Sequence, residues 1–155
     1  MSEFRKLFED FGKLLGIPNL EMTSDGYCRL NLENDLSIQL LFMEDEERAI
    51  LFCELGQVPA DRQTETYEEL LSGNFMWHDT GGATLSLHRP SQTVVTAISI
   101  DVVQLETSTF HSLFATFSTQ AVTWKEKMQE ILSAKGDKDS MGRGDLGLLQ
   151  RFSKA

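Results

Sequence analysis

Apolar residues recur along this chain at two spacings, and the switches between them divide it into elements. Phe4, Leu7, Phe8, Phe11, Leu14 and Leu15 fall at helical intervals, with Arg5, Lys6, Glu9, Asp10 and Lys13 on the opposite face, which predicts an amphipathic first helix. Gly16 and then Pro18 stop it. Its three Phe suit either a core or a face shared with a partner.

From Asp25-Gly26 the spacing becomes that of strands. Cys28, Leu30 and Leu32 alternate with Arg29 and Asn31. After the Asn34-Asp35 turn, Leu36, Ile38, Leu40 and Phe42 alternate with Ser37 and Gln39, a hairpin pattern. Glu44 to Glu47 form a charged turn, the reading favoured for such a run over a metal site. A third strand runs from Arg48 to Leu55, closed by Gly56 and Pro59. Here the alternation doubles: Ala49, Leu51, Cys53 and Leu55 are apolar, but so are Ile50 and Phe52 between them, joined by Leu41 and Met43 of the preceding strand. An antiparallel meander ordinarily leaves one face wet, whereas this one offers apolar residues on both.

Thr64 to Ser72 reads as a short second helix capped by Thr64, with Tyr67, Leu70 and Leu71 as a thin apolar stripe. It closes on Gly73-Asn74, followed by Phe75-Met76-Trp77. After the Gly81-Gly82 break, Ala83, Leu85 and Leu87 alternate up to Pro90, and Thr93 to Val103 is a fifth strand. A long helix follows from Thr107 to Ala134, with Phe110, Leu113, Phe114, Phe117, Ala121, Trp124, Met128, Ile131 and Leu132 at helical intervals. The predicted architecture is α+β in the order α-β-β-β-α-β-β-α, with helices packed on an antiparallel sheet. Residues 1–134 form one domain and 135–155 a flexible tail, in which Leu146, Leu148, Leu149 and Phe152 have the spacing of a short amphipathic turn.

Composition narrows the function. The chain has 155 residues, and a domain of that size buries roughly 68–70% of its unfolded surface, enough for a core without disulfides. The formal net charge is −10, which repels phosphate backbones and anionic lipid. Nucleic acid and membrane surfaces are therefore poor partners, and a basic or amphipathic polypeptide is a better one. No apolar run approaches bilayer length, and the N-terminal residues lack the apolar core of an export signal.

A search for chemistry finds little. No phosphate-binding glycine loop is present, and His78, His88 and His111 lack the spaced partners of a metal site. Cys28 and Cys53 fall within strands, where a thiol behaves as a small hydrophobe. A cysteine-dependent enzyme using one of them is the alternative from a different class, and a dimeric regulatory module binding a partner helix is a third. No catalytic residue, metal or cofactor is assigned. The surplus of apolar surface points instead to a dimer, whose interface either uses up the whole surplus or leaves grooves for extended polypeptide.

Several blocks then carry a resemblance. Leu14-Leu15-Gly16-Ile17-Pro18-Asn19-Leu20, Asp25 to Leu30, Leu55-Gly56-Gln57-Val58-Pro59, Tyr67 to Phe75, Thr80 to Leu87 and Phe110 to Trp124 together resemble the Tir chaperone (CesT) family, the class I chaperones of bacterial type III secretion. The resemblance implies a cytoplasmic homodimer in a Gram-negative bacterium, without catalytic activity or cofactor. It would bind the N-terminal segment of a secreted effector in a non-globular state and aid its delivery, with the secretion-system ATPase as a further candidate partner. By the same resemblance the dimer interface falls on Leu70, Leu71, Phe75, Leu85 and Leu87. The effector-binding patches fall on Phe4, Phe8, Leu41, Met43, Ile50 and Phe52.

Overall fold

The computed structural model describes residues 2–33 and 35–134. The expectations for the tail, 135–155, lie outside the described residues. Three α-helices, α1 (Glu3–Leu14), α2 (Gln63–Gly73) and α3 (Thr107–Ser133), accompany five strands: β1 (Tyr27–Asn31), β2 (Ser37–Met43), β3 (Arg48–Gln57), β4 (Thr84–His88) and β5 (Thr93–Asp101). The sheet is antiparallel throughout, in the order β1-β2-β3-β5-β4. β3 thus pairs with β5 rather than with its successor, and β4 is left at the edge.

The register sorts every strand residue onto one of two faces. Cys28, Leu40 and Leu51 lie in one row and Leu30, Ile38, Cys53, Thr96 and Leu85 in the next. All of these are buried beneath the helices. α3 lies on this face and α1 packs on its first half. Phe11 stands 4.8 Å and 5.1 Å from Phe110 and Phe114, ring centroid to centroid, while Phe4 meets Phe42 at 4.6 Å. These tilted and edge-on pairs each add about 0.5–1.5 kcal/mol beyond area burial. Phe4 and Phe8, placed on an effector-binding patch by the family resemblance, are only 3% and 1% exposed. That assignment is corrected here: the Phe face of α1 is core, and Leu14, at the end of the stripe, is its exposed apolar residue.

Several boundaries differ from the sequence expectation: β5 ends at Asp101 rather than Val103, and two further differences have a visible cause. β3 continues past Leu55 because the register shifts between Glu54 and Gly56. The extra residue, Leu55, is buried, and Gly56 takes the bulge with φ at 145°, a backbone value that suits glycine. Thr64 is not the cap of α2. A 3-10 turn at Ala60–Arg62 follows Pro59, and the helix begins at Gln63, with Arg62 in the cap position and no side-chain cap bond. The turn already directs the chain into the helix, so Thr64 lies one residue inside it.

α2 is fixed to the fold at its end. Gly73 is buried against Trp124 of α3, and a β-carbon there would overlap the indole ring. Gly73→Ala is expected to lower stability by about 2 kcal/mol through overpacking, measured as an earlier midpoint in urea. The Trp124 indole N–H donates to the Asp79 carbonyl at 2.8 Å, tying the loop after α2 to the same helix.

Candidate functional site

Two apolar surfaces remain uncovered by the described residues. The first lies between α2 and β4. Asn74, the cap residue of α2, acts as a piece of strand: its side-chain amide donates to the Leu85 carbonyl at 2.9 Å and its carbonyl accepts from the Leu85 N–H at 2.8 Å. This clamp holds α2 along the edge strand and leaves a groove of about 300 Å³ lined by Tyr67, Leu70, Leu71, Asn74, Leu85, Ser86 and Leu87. Four of the five residues expected at a dimer contact, Leu70, Leu71, Leu85 and Leu87, therefore meet in one place. Leu70 and Leu85 form its buried floor, Leu87 is half-buried, and Leu71 stands out at 73% exposure.

The fifth, Phe75, sits just beyond, followed by two residues that sequence reasoning passed over. Phe75, Met76 and Trp77 are 69%, 64% and 55% exposed. Met76 and Trp77 both have positive φ, 54° and 55°. Bulky side chains in the left-handed region cost about 1–2 kcal/mol each, so the chain holds three large apolar groups outward against a conformational cost. The signal was present as a three-residue apolar run directly after a helix stop.

The second surface is the sheet face turned away from the helices. Tyr27, Leu41, Ile50 and Ser99 form one row across it, and Arg29, Gln39, Phe52, Ala97 and Thr84 the next. Leu41, Met43, Ile50 and Phe52 are half-buried on this face, as the doubled alternation of β2 and β3 predicts. Polar groups frame the band: the Tyr27 hydroxyl donates to Gln39 at 2.9 Å, Arg29 to Ser37 at 2.6 Å and Arg48 to Ser99 at 2.9 Å. Exposed acids stand at both ends, Glu54 at one and Glu44 to Glu47 with Asp101 at the other.

The groups weighed for chemistry are dispersed. Cys28 and Cys53 are buried free thiols under the helices. Burial pushes the Cys28 thiol up and carries Cys53 to about 11, the opposite of what activates a nucleophile. His88 is exposed at the end of β4, with Nδ1 2.7 Å from the Ser91 hydroxyl, and His111 lies edge-on to Phe11. Among the described residues no group of three or more His, Cys, Asp or Glu is placed to hold a metal ion. None of their helices is long and apolar enough to cross a membrane.

The chain thus joins a five-stranded antiparallel sheet, with helices on one face and an apolar band on the other, to an apolar edge groove. The chain belongs to the Tir chaperone protein (CesT) family, whose model matches residues 6–125, and it is by that membership a type III secretion chaperone. Similar folds occur among solved structures. A chain of the ExsC–ExsE complex has a TM-score of 0.66 at 22% identity, covering 80% of this chain and 92% of its own. A chain of the HopA1–SchA chaperone–effector complex gives 0.64 at 21%, covering 79% and 93%. A third, from the Yersinia pestis type III secretion chaperone SycH in complex with a fragment of YscM2, gives 0.62 at 15%, covering 78% and 98%. No curated protein sequence matches the chain.

Proposed function

We propose that the chain acts as a homodimer in the bacterial cytoplasm. It holds the N-terminal segment of a secreted effector in extended form and presents it to the secretion apparatus, whose ATPase is a further candidate partner. The observation that carries this reading is the apolar band of Leu41, Met43, Ile50 and Phe52 on a sheet face that no described element covers. An extended segment pays ordering entropy along its whole length, so it needs apolar contacts spread over a long surface rather than one deep pocket. The acidic surface draws in basic segments and keeps the unloaded dimer soluble. The similar folds include a chaperone–effector complex and a type III secretion chaperone bound to a protein fragment, which is consistent with a polypeptide as the ligand. Binding rather than catalysis fits the site, because its lining is aliphatic and aromatic and the thiols lie under the opposite face.

Self-association is assigned to the α2–β4 groove together with Leu71, Phe75, Met76 and Trp77. A two-fold contact uses one patch twice, and this is the patch where exposed apolar groups concentrate. Co-expression with an effector encoded beside it is expected to yield a complex of two chaperone chains and one effector by light scattering. A chain that purifies alone beside every neighbouring effector would sink the proposal.

A further inference from the structure

Residues 135–155 carry a charge opposite to the rest of the chain. They hold five basic residues against three acidic ones, while the preceding residues hold nine against twenty-one. Within them Leu146, Leu148, Leu149 and Phe152 make a short apolar stretch; the residues before it balance Lys135, Lys138 and Arg143 against Asp137, Asp139 and Asp145, so the net positive charge comes from Arg151 inside the stretch and Lys154 after it. The open sheet face offers an apolar band with Glu54 at one end and, at the other, Glu44 to Glu47 with Asp101, an acidic end that suits Arg151 and Lys154. The two arginines on that face have hydroxyl partners, Arg29 with Ser37 and Arg48 with Ser99.

The geometry allows the two to meet. α3 ends beside the bulge of β3: the Leu132 side chain lies 3.8 Å from the position of a β-carbon at Gly56, and it borders the same end of the sheet as Gln57 and Gln92. From Gly56 along β3 to Ile50 is about 20 Å at strand rise. Residues 135–145 can span up to about 36 Å when extended. The band is thus within reach of the apolar stretch from its own chain, and the α2–β4 groove stays free for a second copy.

We propose that residues 146–152 lie on the open sheet face of their own chain, with Leu148, Leu149 and Phe152 against Leu41, Ile50 and Phe52, when no other polypeptide occupies it. Tethering supplies an effective concentration in the millimolar range, so a weak contact suffices. The docking shields the band of the unloaded chaperone and yields to a segment that binds more strongly. It rests on reach, charge and apolar pattern; only the competition with an effector rests on the proposed function.

The test uses the full chain carrying Ser153→Cys. Cys28 and Cys53 are buried, so a spin label goes to the introduced thiol. The expected result is broadening of the Leu41, Met43 and Ile50 methyl signals, unchanged when labelled chains are diluted into unlabelled ones, and lost in Leu148→Glu/Leu149→Glu without a change in melting temperature. Signals that recover on such dilution would mean occupancy by another copy's tail. Broadening confined to Leu71 and Leu87, or none, would mean the band is not the tail's site, and each of these outcomes overturns the proposal. Where an effector segment is in hand, the double variant is expected to bind it about fivefold more tightly, the relief from a face self-occupied about four-fifths of the time. Loss of effector binding to the band with the methyl broadening intact would refute the effector reading alone.

Discussion

Leu71→Glu is expected to turn the proposed dimer into a monomer, moving the mass in sedimentation from twice 17.5 kDa to 17.5 kDa. Leu71 is 73% exposed on α2, so a glutamate there is solvated in the isolated chain and the fold should melt within a few degrees of the parent. In a two-fold contact the same change enters twice, and each carboxylate would have to leave water for the apolar groove of Tyr67, Leu85 and Leu87. Desolvating an unpaired charge costs several kcal/mol, so the dissociation constant should rise by at least about a hundredfold. Leu70→Glu is not an equivalent experiment. Leu70 is 5% exposed beneath the groove, and a carboxylate there would unfold the chain whether or not it dimerises. Unchanged sedimentation of Leu71→Glu would remove the groove from the interface.

The contrast between these adjacent leucines shows where sequence pattern runs out. Both fit the thin stripe of a short helix, and tertiary contacts, the clamp of Asn74 on Leu85 and the seating of Gly73 against Trp124, set which of them turns inward. Such contacts, the first of them between residues eleven apart along the chain, leave no trace in periodicity. α3 was readable nearly to its ends because one apolar stripe persists over 27 residues, and local spacing alone decides a helix of that length. The two-sided apolar character of β2 and β3 was equally readable, since a period of two assigns faces once a strand is recognised. Strand order was not, because the pairing of β3 with β5 joins segments more than thirty residues apart and is set by packing rather than by local preference. Phe4 and Phe8 mark the complementary limit. An amphipathic helix shows which face is apolar but not what covers it, and here Phe110, Phe114 and Phe42 do. The positive φ of Met76 and Trp77 is the point at which local preference is overridden outright, and it lies on the surface assigned to self-association, where strain of this kind tends to gather.

Phe52→Asp should abolish effector capture while leaving the dimer intact. Phe52 sits at the middle of the open face, opposite Gln39 on one side and Ala97 on the other. It is half-buried with no described helix above it, so an aspartate there is solvated whenever the face is vacant and costs the folded domain little stability. In the complex the change both removes the largest apolar contact of the band and asks a bound chain to cover a carboxylate. About 3 kcal/mol is a reasonable loss for a central aromatic anchor, which corresponds to weakening by about a hundredfold in a titration of the effector segment. Leu14→Glu is the control, because Leu14 is 61% exposed at the end of α1, on the helix side of the sheet. If Leu14→Glu destroyed binding and Phe52→Asp did not, the effector would lie along the helix layer, and the open sheet face would lose its assigned role. The ordering of the two effects matters more than either magnitude, since both substitutions replace an apolar side chain by one negative charge and mark opposite sides of the sheet.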